Sequence, residues 1–366
     1  MDSFALGLVA GVLGWTLLEY IVHAGLGHGL KGKLMVSREH LHHHADINYF
    51  SPLRAKLQGA VPVLTILLVV THQLGGWAFA SGFVLAISGV AFMYARLGMV
   101  SLTQVGLMGI GGWVMLRLNY LFDWPFEVNM VLAALATMIC GWILALPALR
   151  MRGLYLALVT LMAAGGLEIL FATYQFPNGG EGFWGVKIGS SDPFRRPWLA
   201  QTPEAYLRYC IVIATLGFLF IEGHRRLFPG RAWALIRRSE AAAMAAGVNV
   251  TLYKTWAFGI AGAIAGASGA LLAGSLGLLD DGTFRASESI LLFALAIVGG
   301  ARFWLGAVIA AVLFRILPGI LNTWGVDTDL ALVIFGAGLL HALITAPNGI
   351  AGQIHDLVAR LRGGKP

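Results

Sequence analysis

Long apolar runs, separated by short polar segments, dominate the chain. About 20 apolar helical residues cross a bilayer core, whereas a transmembrane β-barrel would show short segments of alternating polarity. The pattern therefore predicts an all-α, polytopic integral membrane protein with about eleven transmembrane helices. The apolar runs lie near residues 3–22, 57–72, 77–95, 98–121, 126–147, 153–173, 208–222, 255–279, 288–302, 303–323 and 329–346.

The composition agrees with this pattern. Of the 366 residues, 58% are hydrophobic and 12% are charged, whereas soluble domains average about 45–50% apolar and about 25% charged residues. The net charge of +7 is divided among short basic clusters between apolar runs. Such clusters are typical of cytoplasmic loops, so we expect membrane lipids, and no nucleic acid, as partners of the surface.

The basic clusters also predict the orientation, because Lys and Arg concentrate in cytoplasmic loops. They occupy residues 31–56, 150–152, 225–254 and 360–365. With the eleven spans given above, all four clusters lie in the cytoplasm if the N-terminus is external. We therefore expect an external N-terminus and a cytoplasmic C-terminus.

One apolar segment, residues 100–113, combines polar side chains with glycines. It contains Ser101, Thr103 and Gln104 beside four glycines. Small residues usually let membrane helices pack closely, and they can also mark a broken helix that moves or lines a pathway. The polar groups favour the second interpretation here, so Ser101 and Gln104 are candidates for lining a solute path.

Glu168 is a carboxylate inside the apolar run 153–173. A charge at membrane depth costs about 2.5–3.5 kcal/mol on insertion scales and is a candidate functional group. Two interpretations remain open. Glu168 either pairs structurally with a buried base or lines the solute path near the external end of its span. The candidate bases are Arg117, Arg302 and Arg315.

The loop RRSEAAAMAAGVNVTLYK, residues 237–254, predicts a short cytoplasmic helix over residues 238–248. Ser239 is a candidate N-cap and Glu240 is favourably placed near the helix N-terminus. The Ala-rich run favours helix, and Gly247 and Asn249 are expected to end it. Such a helix could receive force from a soluble partner or could be an ordinary surface helix.

The Glu240-Ala241-Ala242…Gly247 pattern resembles the coupling helix of ABC importer permeases. Residues 80–355 resemble the branched-chain amino acid permease family through four segments in the same order, with Thr103 in place of a usual glycine. The segments are GMVSLTQVGLMGIGGW (98–113), LRMRGLYLALVTLMAAGGLEIL (149–170), GRAWALIRRSEAAAMAAGVNVTLYKTWAFGIAGAIAGASGAL (230–271) and IVGGARFWLGAVIAAVLF (297–314).

This resemblance implies a permease subunit of a bacterial inner-membrane importer for branched-chain or related amino acids, and not an enzyme. The sequence contains no G-x-x-x-x-G-K-[ST] phosphate loop, so partner ATPase subunits are expected to supply the energy. A second permease subunit and an extracytoplasmic solute-binding protein are the other implied partners. No cofactor is expected for transport.

Residues 1–80 do not resemble that family. LLEYIVHAGLGH and REHLHHHADINYF have the spacing of di-iron histidine boxes and resemble the first half of the fatty acid hydroxylase and sterol desaturase superfamily. Imidazoles of this kind can bind iron. The candidate metal ligands are His23, His28, His40, His43 and His44.

The histidines leave an alternative function open, an integral-membrane di-iron lipid hydroxylase. Fewer boxes are present than that superfamily needs, so a residual iron or other metal site, or a solvated loop without metal, are further interpretations. The predicted organisation is a fusion of a hydroxylase-like segment (1–80), a permease domain (81–355) and a cytoplasmic tail (356–366).

Overall fold

The computed structural model describes residues 78–318, with gaps at 123, 149–150, 152, 175–193 and 278. It also describes scattered positions between 330 and 344, and residues 348–361. The regular secondary structure of these ranges is helical, without strands, which confirms the all-α class. The helices are α1 Ala78–Leu97, α2 Gln104–Leu121, α3 Phe126–Ala148, α4 Leu154–Thr173, α5 Pro203–Arg226, α6 Phe228–Arg238, α7 Glu240–Ala245, α8 Val250–Leu276, α9 Ala286–Gly299, α10 Trp304–Ala311 and α11 Gly349–Leu361.

Helices α1, α3, α4, α5 and α8 are long and apolar enough to cross a membrane, and α9 and α10 are shorter apolar helices. This confirms a polytopic membrane protein. The runs predicted near 3–22 and 57–72 lie outside the described residues, as does most of 329–346. The total of about eleven spans therefore stays a prediction.

The chain divides into two compact units. The first contains residues 1–78, 198–216 and 354–366, of which the described part is mainly the start of α5 and the end of α11. In this unit the rings of Tyr206 and Tyr209 stack with centroids 6.1 Å apart. The second unit contains residues 79–197 and 217–353 and holds all the contacts described below.

The second unit is built around α8, which packs against α2 and α3 through glycines. A Cβ on Gly269 of α8 would lie 2.7 Å from the backbone N of Gly112 in α2. A Cβ on Gly262 would lie 3.2 Å from the carbonyl carbon of Thr137 in α3. Membrane helices approach this closely only through small residues, so most of the glycines in α8 serve packing.

Three features differ from the sequence-based prediction. The run 98–121 becomes helical only at Gln104. Asn249 does not end α7 but caps the next helix, because its Oδ1 accepts a hydrogen bond from the backbone N of Leu252 at 3.0 Å. The loop before α7 contains a further helix, α6. The search for apolar runs missed it, because its apolar residues recur every three to four positions between basic ones and form no continuous run.

Candidate functional site

The chain is not helical between the end of α1 and the start of α2. Gly98 directly follows α1 and has a left-handed backbone, with φ of 71°. Residues 98–103 are non-helical, and α2 begins at Gln104. Ser101, Thr103 and Gln104 are all buried here. The segment 100–113 is therefore non-helical as far as Thr103 and helical from Gln104 onward, and a moving or path-lining role for it stays a prediction.

Hydroxyl groups from two other helices satisfy backbone donors at this interruption. The N–H of Leu102 donates to Oγ1 of Thr160 on α4 at 2.9 Å. The N–H of Val105 donates to Oγ of Ser289 on α9 at 3.3 Å. The start of α2 is therefore a meeting point of α4 and α9. The sequence-based prediction did not include Thr160 and Ser289. Their hydroxyl groups within apolar runs were the signal that could have identified them.

Gln104 and Ser101 make local contacts that explain their burial. Nε2 of Gln104 donates to the backbone O of Ala261 on α8 at 3.2 Å. A Cβ on Gly89 would lie 3.5 Å from Cδ of Gln104, so this side chain fills the space that the glycine leaves. The hydroxyl oxygens of Ser101 and Thr103 lie 3.0 Å apart. Ser101 thus lies in the connection between α1 and α2, and Gln104 is the first residue of α2. Their role in a solute path stays a prediction.

Glu168 ties α4 to α9. Its Oε2 accepts a hydrogen bond from the backbone N of Ala286, the first residue of α9, at 2.8 Å. A carboxylate at a helix N-terminus satisfies a donor that has no partner within the helix and opposes the positive end of the helix dipole. The structure therefore gives Glu168 a backbone partner, which the sequence-based choice among three arginines did not include.

One of those arginines, Arg315, pairs with Glu288 instead, in the first turn of α9. Its Nη2 lies 3.5 Å from Oε2 of Glu288. The guanidinium also lies over the rings of Phe83 and Phe314, at 4.4 and 4.3 Å from their centroids, in favourable cation–π geometry. Arg315 belongs to a π-helical turn, Val312–Ile316, and such turns often occur at functional sites. The first turn of α9 thus contacts α2, α4 and the π-helical turn that follows α10.

Replacing Glu168 tests its capping role. Glu168→Ala removes the acceptor, so we expect a loss of about 1–2 kcal/mol in the free energy of unfolding. Glu168→Gln keeps an acceptor oxygen and should lose less than half of that. Thermal unfolding of the purified protein in detergent measures both. An equal loss in the two variants would contradict capping and favour a role that needs the charge.

The short helix predicted over residues 238–248 is present as α7, but it is shorter than predicted, Glu240–Ala245, because Arg238 ends α6 and Ser239 caps α7. Its coupling role stays a prediction. Oγ of Ser239 accepts a hydrogen bond from the N of Ala242 at 3.3 Å, which confirms Ser239 as the N-cap. Ala243 is fully buried, while Met244 is 58% exposed. The surrounding residues Ala241 and Ala242 are also exposed. Ala243 therefore packs inward, while Ala241, Ala242 and Met244 are available for contact.

Gly247 ends α7 with a left-handed backbone, φ of 78°. Its N–H donates to the carbonyl of Met244 at 2.9 Å, and the N–H of Val248 donates to the carbonyl of Ala243 at 2.9 Å. This pair of bonds is the Schellman motif that commonly stops helices at glycine. The predicted end at Gly247 is therefore confirmed.

Glu240 makes an ion pair that sequence reasoning missed. Its Oε1 lies 2.6 Å from Nζ of Lys254, on the first turn of α8. The Lys254 side chain is 5% exposed and that of Glu240 is 22% exposed. The pair therefore connects the exposed α7 directly to a helix that is apolar and long enough to cross the membrane.

The candidate metal ligands His23, His28, His40, His43 and His44 lie outside the described residues. Among the described residues, no group of three or more His, Cys, Asp or Glu side chains is arranged to hold a metal ion.

The described part of the chain is thus an all-α membrane protein in which a buried polar segment connects α1 to α2, and an exposed helical turn is joined by an ion pair to a long apolar helix. The chain belongs to the family of permease components of branched-chain amino acid transport systems, whose model matches residues 74–343. This confirms the family resemblance seen in four sequence segments. The match begins at residue 74, so the hydroxylase-like segment before it stays a prediction.

Two similar proteins are both named "High-affinity branched-chain amino acid transport system permease protein LivM". The protein of Salmonella typhimurium is 27% identical over 282 residues, covering 69% of this chain and 64% of the relative. That of Escherichia coli is 25% identical over 273 residues, with the same two coverages. The chain thus spans 64% of the length of these relatives. No solved structure gave a significant match.

Proposed function

We propose that the chain is a membrane-spanning permease subunit of an ABC importer for branched-chain or related amino acids. The observation that carries this proposal is the family match over residues 74–343, and the names of the two LivM relatives support the solute class. The proposed partners are a second permease subunit, cytoplasmic ATPase subunits and an extracytoplasmic solute-binding protein. The proposed location is a bacterial inner membrane, with the N-terminus outside and the C-terminus in the cytoplasm.

The element proposed to meet the ATPase is α7 with its end at Gly247, that is, Glu240, Ala241, Ala242 and Gly247. Its exposure supports this role, because a docking helix must present side chains outward. The pair between Glu240 and Lys254 supports it further, since it offers a direct connection from α7 to α8. ATP-driven movement of α7 would then reach the bundle that α8 forms with α2 and α3.

The proposed solute path runs past Ser101, Gln104 and Glu168. Two observations support this choice: Ser101 lies in the non-helical segment 98–103, which ends where Gln104 begins α2, and Glu168 reaches the first turn of α9, which also contacts the start of α2. Positions at which membrane helices break or begin form the substrate sites of many transporters. We further propose residues 81–355 as the permease domain, with 1–80 and 356–366 as separate segments. Transport by this domain needs no cofactor.

Substitution of Gly247 tests the proposed coupling. Gly247→Val places a β-branched residue at φ of 78°, a backbone conformation that costs an L-residue about 1–2 kcal/mol and more when the side chain is β-branched. We expect uptake of labelled leucine to fall about tenfold or more, because the strain equals or exceeds about 1.4 kcal/mol, a factor of ten in an equilibrium. The protein should still insert.

Gly247→Asn is the matched control, because asparagine tolerates the left-handed conformation. It should keep most of the uptake. Nothing lies within 4 Å of a Cβ at this position, so a steric clash cannot explain a difference between the two variants. Both are expressed with the ATPase and binding-protein subunits in cells that lack their own leucine uptake, and membrane abundance is measured by immunoblot. Wild-type uptake by Gly247→Val at normal abundance would refute the coupling role.

A further inference from the structure

Helix α6 presents a face that is both apolar and basic. Phe228, Arg231, Leu235 and Arg238 follow one another at spacings of three, four and three residues, so they lie on one side of the helix. All four are exposed: Phe228 is 74% exposed and Leu235 is 39% exposed. We call these four residues the α6 outer face.

The opposite side of α6 is fixed to the protein. Ala232, Trp233 and Ile236 are buried there. Nε1 of Trp233 donates to the backbone O of Tyr253, in the first turn of α8, at 3.0 Å. The rings of Trp233 and of Phe92 in α1 also pack edge to face, with centroids 5.0 Å apart. These contacts set the rotation of α6, so the outer face is held outward.

The position of α6 along the chain places it at a membrane surface. It begins two residues after Arg226, the last residue of the apolar helix α5. Trp233 joins it to Tyr253, near the start of the apolar helix α8. Leu227, between α5 and α6, is itself 59% exposed. Helix α6 therefore lies where two helices of membrane-spanning length end.

We propose that the α6 outer face binds the headgroup of an anionic phospholipid. Guanidinium groups pair well with phosphate oxygens, and Phe and Leu side chains of interfacial helices enter the boundary between headgroups and acyl chains. The guanidinium of Arg231 lies 5.0 Å from the centre of the Phe228 ring, so the charged and apolar contacts form one surface. The charge of this face selects a negative headgroup over a zwitterionic one. The proposal depends on membrane insertion alone and is independent of what the protein transports.

The test is lipid retention by the purified full-length protein. Phosphatidylglycerol or phosphatidylcholine is titrated into the protein in a neutral detergent, and bound lipid is counted by native mass spectrometry. Each arginine near an anionic surface contributes about 1 kcal/mol, or about a fivefold change in affinity. We expect the double variant Arg231→Gln/Arg238→Gln to bind phosphatidylglycerol about 25-fold more weakly, with phosphatidylcholine binding unchanged.

The matched control is Arg195→Gln/Arg285→Gln, which removes two exposed arginines away from α6 and should leave phosphatidylglycerol affinity within about twofold of wild type. All variants replace exposed residues, so a thermal melt checks that they remain folded. A second variant, Phe228→Ser, should weaken retention while keeping both charges. Unchanged phosphatidylglycerol affinity in the double arginine variant would overturn the proposal. Equal weakening for both lipids would overturn the headgroup assignment.

Discussion

Replacing Gly269 with leucine is expected to remove most of the folded protein. A Cβ at this position would lie 2.7 Å from the N of Gly112 and 2.9 Å from the carbonyl carbon of Met108, both on α2. These neighbours are backbone atoms, so they cannot rotate away as a side chain can, and α2 must separate from α8. Overpacking of a well-packed core costs about 1–3 kcal/mol, and we expect leucine to exceed this range because two helices must move. Size-exclusion chromatography and thermal unfolding in detergent measure the loss.

Gly166→Leu provides the control for this result. Gly166 lies within the apolar helix α4, is exposed, and has nothing within 4 Å of a Cβ. Leucine there should leave yield and melting temperature near the wild-type values or raise them slightly, because glycine is a poor helix former. Gly269→Ala should fall between the two. A Gly269→Leu protein as stable as Gly166→Leu would show that α2 and α8 do not pack as described.

The sequence predicted the positions of the apolar helices well because each depends on local composition. The runs expected at 77–95, 126–147 and 153–173 are observed as Ala78–Leu97, Phe126–Ala148 and Leu154–Thr173. Helix capping is local too, because the hydroxyl of Ser239 accepts its hydrogen bond from the backbone N of Ala242, three residues later. Gly247 likewise ends α7 through its own backbone freedom. The family followed from four such local segments.

Contacts between distant residues could not be predicted in this way. Glu168 was recognised as a costly carboxylate, but its partner is a backbone N–H 118 residues later. Ser289 meets Val105 across 184 residues. Hydropathy shows that a group is buried but gives no information on which helix lies beside it. The contacts of the candidate site therefore required the three-dimensional structure.

Helix α6 was missed for a different reason. Its residues, FPGRAWALIRR, are too polar for a membrane span and too short for a clear apolar run. The signal that reveals it is helical periodicity, with Ala232, Trp233 and Ile236 on one side. A search for periodic rather than continuous hydrophobicity between the spans would have found this helix.

Glu240→Gln is expected to be the most destabilising single substitution within α7. It leaves the ammonium of Lys254, whose side chain is only 5% exposed, without its carboxylate partner. Removing one member of a buried ion pair costs about 3–5 kcal/mol. The reverse change, Lys254→Met, should cost less, because Glu240 is 22% exposed and water can reach it. In thermal unfolding, the melting temperature of Glu240→Gln should therefore be lower than that of Lys254→Met.

Glu222→Gln is the control for loss of an ion pair in general. Glu222 pairs with Arg225 and Arg226 within α5, and all three side chains are at least one-third exposed. Exposed pairs contribute about 0–1 kcal/mol. This variant should therefore melt close to wild type and keep its uptake. A loss in Glu222→Gln as large as that in Glu240→Gln would contradict the special position of the pair between α7 and α8.

The double variant Glu240→Gln/Lys254→Met separates stability from coupling. Without either charge no buried ion remains unpaired, and replacing a whole buried pair by groups of similar volume is often neutral for stability. We expect its melting temperature to return toward wild type, while leucine uptake stays low because α7 has lost its direct connection to α8. Uptake is compared at equal membrane abundance, with Glu222→Gln beside it. If the double variant recovers both stability and uptake, the pair only stabilises the fold, and movement of α7 must reach the membrane helices through packing contacts instead.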